Sequence, residues 1–516
     1  YEIMLTRTFS GALAGVDAVA VEVELNATGR GEESIVAIVG LPDTAIKESR
    51  DRIKSALFSC GYGHPQGHTL VNLAPADMKK EGAAFDLPIA LSLIAANGIV
   101  PRENLASTMI LGELALDGSV RPVKGALPIA LLARKLAPQI RTLILPAENA
   151  PEGAVVADKV RVFAVSCLQE AVAAVNGELM PVQPDAGGVF AEPDWSQISD
   201  FADVKGQFQA KRALEIAAAG GHNVLFVGPP GTGKSMLAKR LPGILPPMTE
   251  EETLDTSRVY SVLGLLDSKH PLLRCRPFRA PHHTVSDAGL LGGGTNPQPG
   301  EISLAHNGVL FLDELPEFKR SVLETLRQPI ESGVVTISRA SGSFDFPCEF
   351  ILLAAMNPCP CGHYGDRLHV CRCGQKRIQD YRAKISGPLM DRIDLHVEVS
   401  SLTENELLNA PDGETSAQIR ARVIRAREIQ NRRFAGNPRV RCNARMEPAE
   451  IRKFCEITAD AKTQLRHTIT EFGLSARAYD RILRVARTVA DLDGAEQIAS
   501  DHIFEAINYR SLDRRL

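Results

Sequence analysis

Residues 228–235 read Gly228-Pro229-Pro230-Gly231-Thr232-Gly233-Lys234-Ser235, directly after the apolar run 223–227. Gly228, Gly233, Lys234 and Ser235 fill the fixed positions of the phosphate-binding pattern GxxxxGK[ST]. Glycines let successive backbone N–H groups turn inward on phosphate oxygens. Lys234 then reaches the β- and γ-phosphates, and the Ser235 hydroxyl is placed for Mg²⁺. A helix opening at Ser235 adds its positive dipole end.

The matching acids lie downstream. Gly308 to Leu312 is a short apolar run followed by Asp313 and Glu314. Such a run reads as a buried strand of a parallel sheet, whose C-terminal end is where ligands sit in doubly wound folds. Asp313 would serve the Mg²⁺ ion, and Glu314 would polarise the attacking water. A third apolar run, 350–356, ends in Asn357, which can orient that water or mark a turn before Pro358. The cofactors expected are ATP and Mg²⁺.

These residues carry a resemblance. The phosphate loop, Asp313-Glu314, Asn357, the segment 386–394 and Leu474-Ser-Ala-Arg477 occur in the order found in AAA+ ATPases of the magnesium-chelatase-like branch. The resemblance implies sensor 1 at Asn357, an arginine finger at Arg392 acting on a neighbouring subunit, and sensor 2 at Arg477. An arginine brought to the γ-phosphate stabilises transition-state charge.

The elements that must hold these residues divide the chain into blocks. Residues 1–180 mix short β-rich runs (19–25, 34–39) with helical stretches. One of these, 43–57, opens on the cap candidate Asp43. The apolar stretch 85–96 reads as a core helix, and 112–123 as a hairpin around Asp117-Gly118. This block resembles the Lon peptidase domain. Aligning Lys80-Glu-Gly with the Lon nucleophile segment puts Ala84 at the serine, and 120–127 puts Leu127 at the lysine. Without a hydroxyl and an adjacent amine no activated nucleophile exists. A Pro/Gly-rich linker, 181–193, follows. The ATPase core is expected over 194–400 and a helical lid over 401–516. The expected fold class is therefore multidomain α/β: a Lon-like α+β domain, a P-loop α/β core and an α-helical lid.

Four cysteines cluster in that core: Cys359, Cys361, Cys371 and Cys373, around a loop that also carries His363 and His369. Four thiolates can hold one structural Zn²⁺; a redox pair or inert thiols are the alternatives. The segment 277–300 reads as a loop. The segment 334–346 reads as a hairpin turning at Ser341-Gly342, with Arg339 near its tip as a candidate DNA contact. Arg420, Arg422, Arg425, Arg427, Arg432, Arg433, Arg439 and Arg441 form a basic stripe. Nucleic acid and subunit pairing compete for it. The last helix expected is 479–492, with ordinary exposed arginines.

Composition excludes some classes. The 516 residues carry a net charge of −4, so no global basic field points to nucleic acid. No apolar run reaches the roughly 18 residues a membrane helix needs, and ten scattered or clustered cysteines suit reduced thiols in the cytoplasm. The three blocks together resemble the ComM/YifB family. That resemblance implies a homo-hexameric helicase for single-stranded, duplex and branched DNA, driving branch migration in natural transformation and recombination. A magnesium-chelatase-like motor subunit and a protein-remodelling ATPase are the competing classes.

Overall fold

A computed structural model describes residues 4–510, apart from 29–34, 77–79, 81, 184–189, 191, 268–270, 295, 340–341, 367, 403–412, 438–439 and 473–474. Ser341, Arg439 and Leu474, and much of the 181–193 segment, lie outside the described residues.

The N-terminal block is built on a seven-stranded mixed sheet. Its spatial order is Ile35–Val39, His68–Ala74, Asp17–Ala27, Met4–Ala14, Thr108–Ile110, Thr142–Pro146 and Arg161–Val165. The first two long strands pair antiparallel along their whole length, Met4 opposite Ala27 and Ala14 opposite Asp17. Helix Thr44–Ser59 starts where Asp43 accepts the Ile46 N–H at 2.8 Å. Helix Asp86–Ala96 is buried at every position; it is apolar except for Asp86, which pairs with Arg52, and Ser92, which donates to the Pro88 carbonyl. Glu113–Leu114 and Val120–Arg121 pair antiparallel around the expected Asp117-Gly118 turn.

The central block has a five-stranded sheet in the order Phe278–Arg279, Gly308–Leu312, Phe350–Met356, Val224–Val227 and Leu395–Glu398. Every pairing in it is parallel. Strands 224–227, 308–312 and 350–356 are wholly buried, the pattern of a sheet covered on both faces. Phe278–Arg279 corrects the reading of 277–300 as loop: it is the edge strand. Only two residues pair, and they are flanked by prolines, so no periodicity marks them.

The C-terminal helices among the described residues are Ser416–Arg433, Pro448–Phe454, Ala459–Phe472, Ala476–Leu492 and Ser500–Asn508. Their apolar faces are not a separate core. Ile419, Val423, Ile482, Val489 and Ile503 join one cluster with Val224, Phe226 and Leu353 of the central sheet. Helix Ser500–Asn508 follows the one expected to be last. Two further expectations need correction here. Arg487 is 1% exposed and ion-paired with Asp491, and Arg481 is 12% exposed, 3.4 Å from Asp394. The arginine stripe is also largely spent within the chain. Arg420 lies over the Trp195 ring and donates to the Gly243 carbonyl. Arg422 pairs with Glu215 and Glu414, Arg427 donates to the Ala218 carbonyl, and Arg433 pairs with Asp491. Arg425 and Arg432 remain exposed.

No helix among the described residues is long and apolar enough to cross a membrane.

Candidate nucleotide site

Three adjacent parallel strands end at one sheet edge and deliver the predicted residues together. Strand 224–227 leads into Gly228, where a Cβ would sit 2.1 Å from the Val399 carbonyl oxygen, so only glycine fits. Gly231 and Gly233 adopt left-handed φ of 79° and 86°, which curl the loop. The helix begins at Lys234, one residue earlier than expected, and runs to Arg240.

Lys234 Nζ donates to the carbonyls of Gly228 at 2.7 Å and Pro229 at 2.8 Å, and to Asn357 Oδ1 at 3.4 Å. Burial lowers its pKa, partly offset by Asp313. The Ser235 hydroxyl donates to Asp313 Oδ2 at 2.6 Å. Asp313 Oδ1 accepts the Glu314 N–H at 2.9 Å. Two consecutive residues, Lys234 and Ser235, thus meet Asn357 and Asp313, which come from segments far away in sequence. The donor chemistry fits an Mg-nucleotide: a glycine-lined cradle with a buried ammonium for phosphates, and two hard oxygens for Mg²⁺.

Glu314 sits next to that set in the left-handed region, φ 53°, with its carboxylate half exposed. Its Oε2 lies 3.4 Å from His283 Nδ1. His283 packs against His282, ring centroids 4.1 Å apart, and edge-on to Phe318. Sequence reasoning did not single out His283 as a site residue. The available signal was a His-His pair just after the strand now seen at 278–279. Glu314 and Asn357 also line a cleft of about 430 Å³ with Arg377 and Lys384.

The arginines fall elsewhere. Arg392 is paired with Glu331 at 2.6 Å and donates to the carbonyls of Arg327 and Pro388. Arg477 is 75% exposed, 3.9 Å from Asp391. Arg339 is exposed on the Val334–Arg339/Gly342–Pro347 hairpin, its Nε 3.4 Å from the Gly294 carbonyl. Among the described residues, none of these three hydrogen-bonds to the phosphate loop, Asp313 or Glu314.

The cysteine loop abuts the nucleotide site. A Cβ on Gly362 would lie 2.7 Å from Pro230 Cδ. The four Sγ atoms of Cys359, Cys361, Cys371 and Cys373 lie within 4.8 Å of one another. Three of the separations are 3.3, 3.6 and 3.6 Å. Tetrahedral Zn–S bonds of about 2.3 Å put sulfurs about 3.8 Å apart. The N–H groups of His363 and Arg372, and the neighbouring Cys359, pull Cys361 down to about 6, whereas burial pushes Cys373 up, so the thiols of the cluster do not ionise alike.

Sequence comparison places this arrangement among known proteins. The family model "Magnesium chelatase, subunit ChlI" matches residues 200–407. "Subunit ChlI of Mg-chelatase" matches 21–149, and "Magnesium chelatase, subunit ChlI C-terminal" matches 413–510. The chain is 45% identical to "Competence protein ComM" of Haemophilus influenzae, covering 99% of this chain and 98% of that one. The chain belongs to the ComM/YifB family. It is 44% identical to YifB of Salmonella typhimurium over 98% of this chain and 97% of that protein. Similarity to the magnesium-chelatase 67 kDa subunit of Heliobacterium mobile is 29% and covers only 33% of this chain. Family membership over the full length therefore rests on the ComM/YifB relatives. The chelatase family models nonetheless match segments in all three blocks.

Proposed function

We propose that this chain is an Mg-ATP-driven ring motor acting on DNA, a branch-migration helicase serving natural transformation and homologous recombination. The observation that supports it most directly is the convergence of Lys234, Ser235, Asp313, Glu314 and Asn357 at one sheet edge. In this reading the cradle 228–235 grips the phosphates. Ser235 and Asp313 hold Mg²⁺, which neutralises phosphate charge when bound. Glu314 takes the proton of the attacking water, with His283 fixing its carboxylate, and Asn357 orients that water. Arg392 reaches the ATP of a neighbouring subunit once a hexamer forms, which requires it to leave Glu331, and Arg477 serves as sensor 2.

The DNA assignment draws on the competence name of the Haemophilus relative and on exposed Arg339. The division into a Lon-like domain (1–180), linker (181–193), AAA+ core (194–400) and lid (401–516) belongs to the same proposal. Ala84 and Leu127 stand where Lon would carry its serine and lysine, so the N-terminal block acts in assembly rather than proteolysis. Structural Zn²⁺ on the four cysteines braces the loop against the phosphate loop, and the setting is cytoplasmic.

The test is an ATPase and strand-exchange assay on a verified hexamer with Mg-ATP. Single-stranded, duplex and branched DNA should stimulate hydrolysis, and three- and four-stranded junctions should move. Binding should weaken as salt rises, because the contacts are to phosphate. A DNA-independent ATPase that leaves junctions untouched would sink this reading and promote a chelatase-like motor.

A further inference from the structure

The cysteine loop contains a second set of ligating groups nested inside the first. Counted outward from Asp366, His363 and His369 stand three residues to either side. Cys361 and Cys371 stand five away, and Cys359 and Cys373 seven away. A chain reversal that joins the outer cysteine pairs therefore also joins the inner histidines. Both imidazoles turn toward the same carboxylate: His363 Nδ1 and His369 Nδ1 each lie 3.1 Å from Asp366 Oδ2. The two rings are 4.8 Å apart, and the three ligand atoms all lie within 4.8 Å of one another.

The carboxylate is held for this geometry. The Asp366 side chain is 1% exposed. Its other oxygen accepts the Leu368 N–H at 3.2 Å and the Ser401 hydroxyl at 3.1 Å. Such outer hydrogen bonds are what orient a ligating carboxylate.

We propose that His363, Asp366 and His369 form a second metal site, separate from the cysteines, for a borderline divalent cation such as Zn²⁺. Two imidazole nitrogens and one carboxylate oxygen are the donor set of three-ligand zinc sites, which keep a fourth position open. Bonds of about 2.0–2.1 Å in a tetrahedron put neighbouring donors about 3.3 Å apart, close to the nitrogen–oxygen separations observed. The ion would pin the loop at two places that matter to the fold. Ser401 begins the passage toward the C-terminal helices, and Gly362 packs on Pro230 of the phosphate loop. The rival is a metal-free clamp, in which both imidazoles simply donate N–H to Asp366.

Metal content separates the two. The full-length protein is loaded with Zn²⁺, dialysed and assayed by elemental analysis, with parallel Co²⁺ loading followed by absorption spectroscopy. His369→Ala is the main variant, because its side chain is 64% exposed and its loss leaves the fold intact. His363→Ala/His369→Ala is the second. Both should bind about one metal ion fewer per chain than wild type while keeping the thiolate-to-cobalt charge-transfer band of the cysteine site. Equal metal content in wild type and both variants, at whatever level, would overturn the proposal. So would loss of the thiolate band together with the metal, since the histidines would then only support the cysteines. A wild type lacking the thiolate band but showing the histidine-dependent metal would fail the cysteine site alone.

Discussion

The cleft lined by Lys124, Glu152 and Ser261 and the polar cluster of Lys234, Asp313 and Asn357 at the strand ends each gather a lysine, a carboxylate and a serine or asparagine. In the first, Glu152 is buried and fully engaged. It accepts the Leu127 N–H at 2.9 Å, the Ser261 hydroxyl at 2.5 Å and the Asn149 amide at 2.8 Å. The Ser261 carbonyl in turn accepts the Gly125 N–H at 2.9 Å. Ser261 lies on helix Glu250–Leu263 of the central block, so these bonds fasten the N-terminal block to the ATPase sheet. In the second group, buried Lys234 meets mainly neutral carbonyls, and burial depresses its pKa despite Asp313. An anion delivered there is favoured. A polar cluster whose groups satisfy one another acts as an attachment; one whose charge is only partly met acts as a binding site.

The strongest break of that contrast is Lys234→Ala. It should abolish ATP turnover, a loss on the order of 10²-fold or more, while the thermal midpoint stays close to wild type. Glu314→Gln should retain ATP binding and hydrolyse slowly; near-normal turnover, measured by phosphate release, would remove this carboxylate from the mechanism. Glu152→Ala should do the reverse. Stranding the Leu127, Ser261 and Asn149 donors costs roughly 1–3 kcal/mol, read as a lower thermal or urea midpoint. Turnover per folded chain should be nearly unchanged at a temperature where the variant remains folded. The smallest effect belongs to Ala84→Ser. Restoring a hydroxyl without an amine at Leu127 should leave casein undegraded; measurable cleavage would mean that another group serves as base and that the N-terminal block is not retired.

The convergence at the candidate nucleotide site was legible because its signals are local. The phosphate loop is eight contiguous residues, and each acid or amide directly follows an apolar run. Turn chemistry was also readable: Asp43 caps its helix, and Asp117-Gly118 sits between paired strands. What was missed depended on distant partners. Arg422 meets Glu215 across 207 positions, and Arg433 meets Asp491 across 58. Counting arginines between 420 and 441 registers the charge but not the counter-charge, so the stripe read as a surface for partners. Arg487, inside an amphipathic helix, gave no sign that Asp491 and two backbone carbonyls would bury it. His283 belongs to the site only because Phe278–Arg279 joins the sheet beside Gly308–Leu312.

The sequence by itself determined the phosphate cradle, the acids and asparagine at strand ends, the four clustered cysteines and the absence of a peptidase serine and lysine from the aligned positions. These follow from residue type at short spacing, which backbone geometry converts directly into position. Only the tertiary structure decided that Lys234 meets Asn357 and Ser235 meets Asp313, that the C-terminal helices extend the core of the central sheet, and that Arg420, Arg422, Arg427 and Arg433 of helix Ser416–Arg433 find acids, carbonyls or an aromatic ring within the chain. Those outcomes depend on which strands lie side by side and which charges are buried together. Burial makes an unpaired charge costly, so packing, not local pattern, selects the partner.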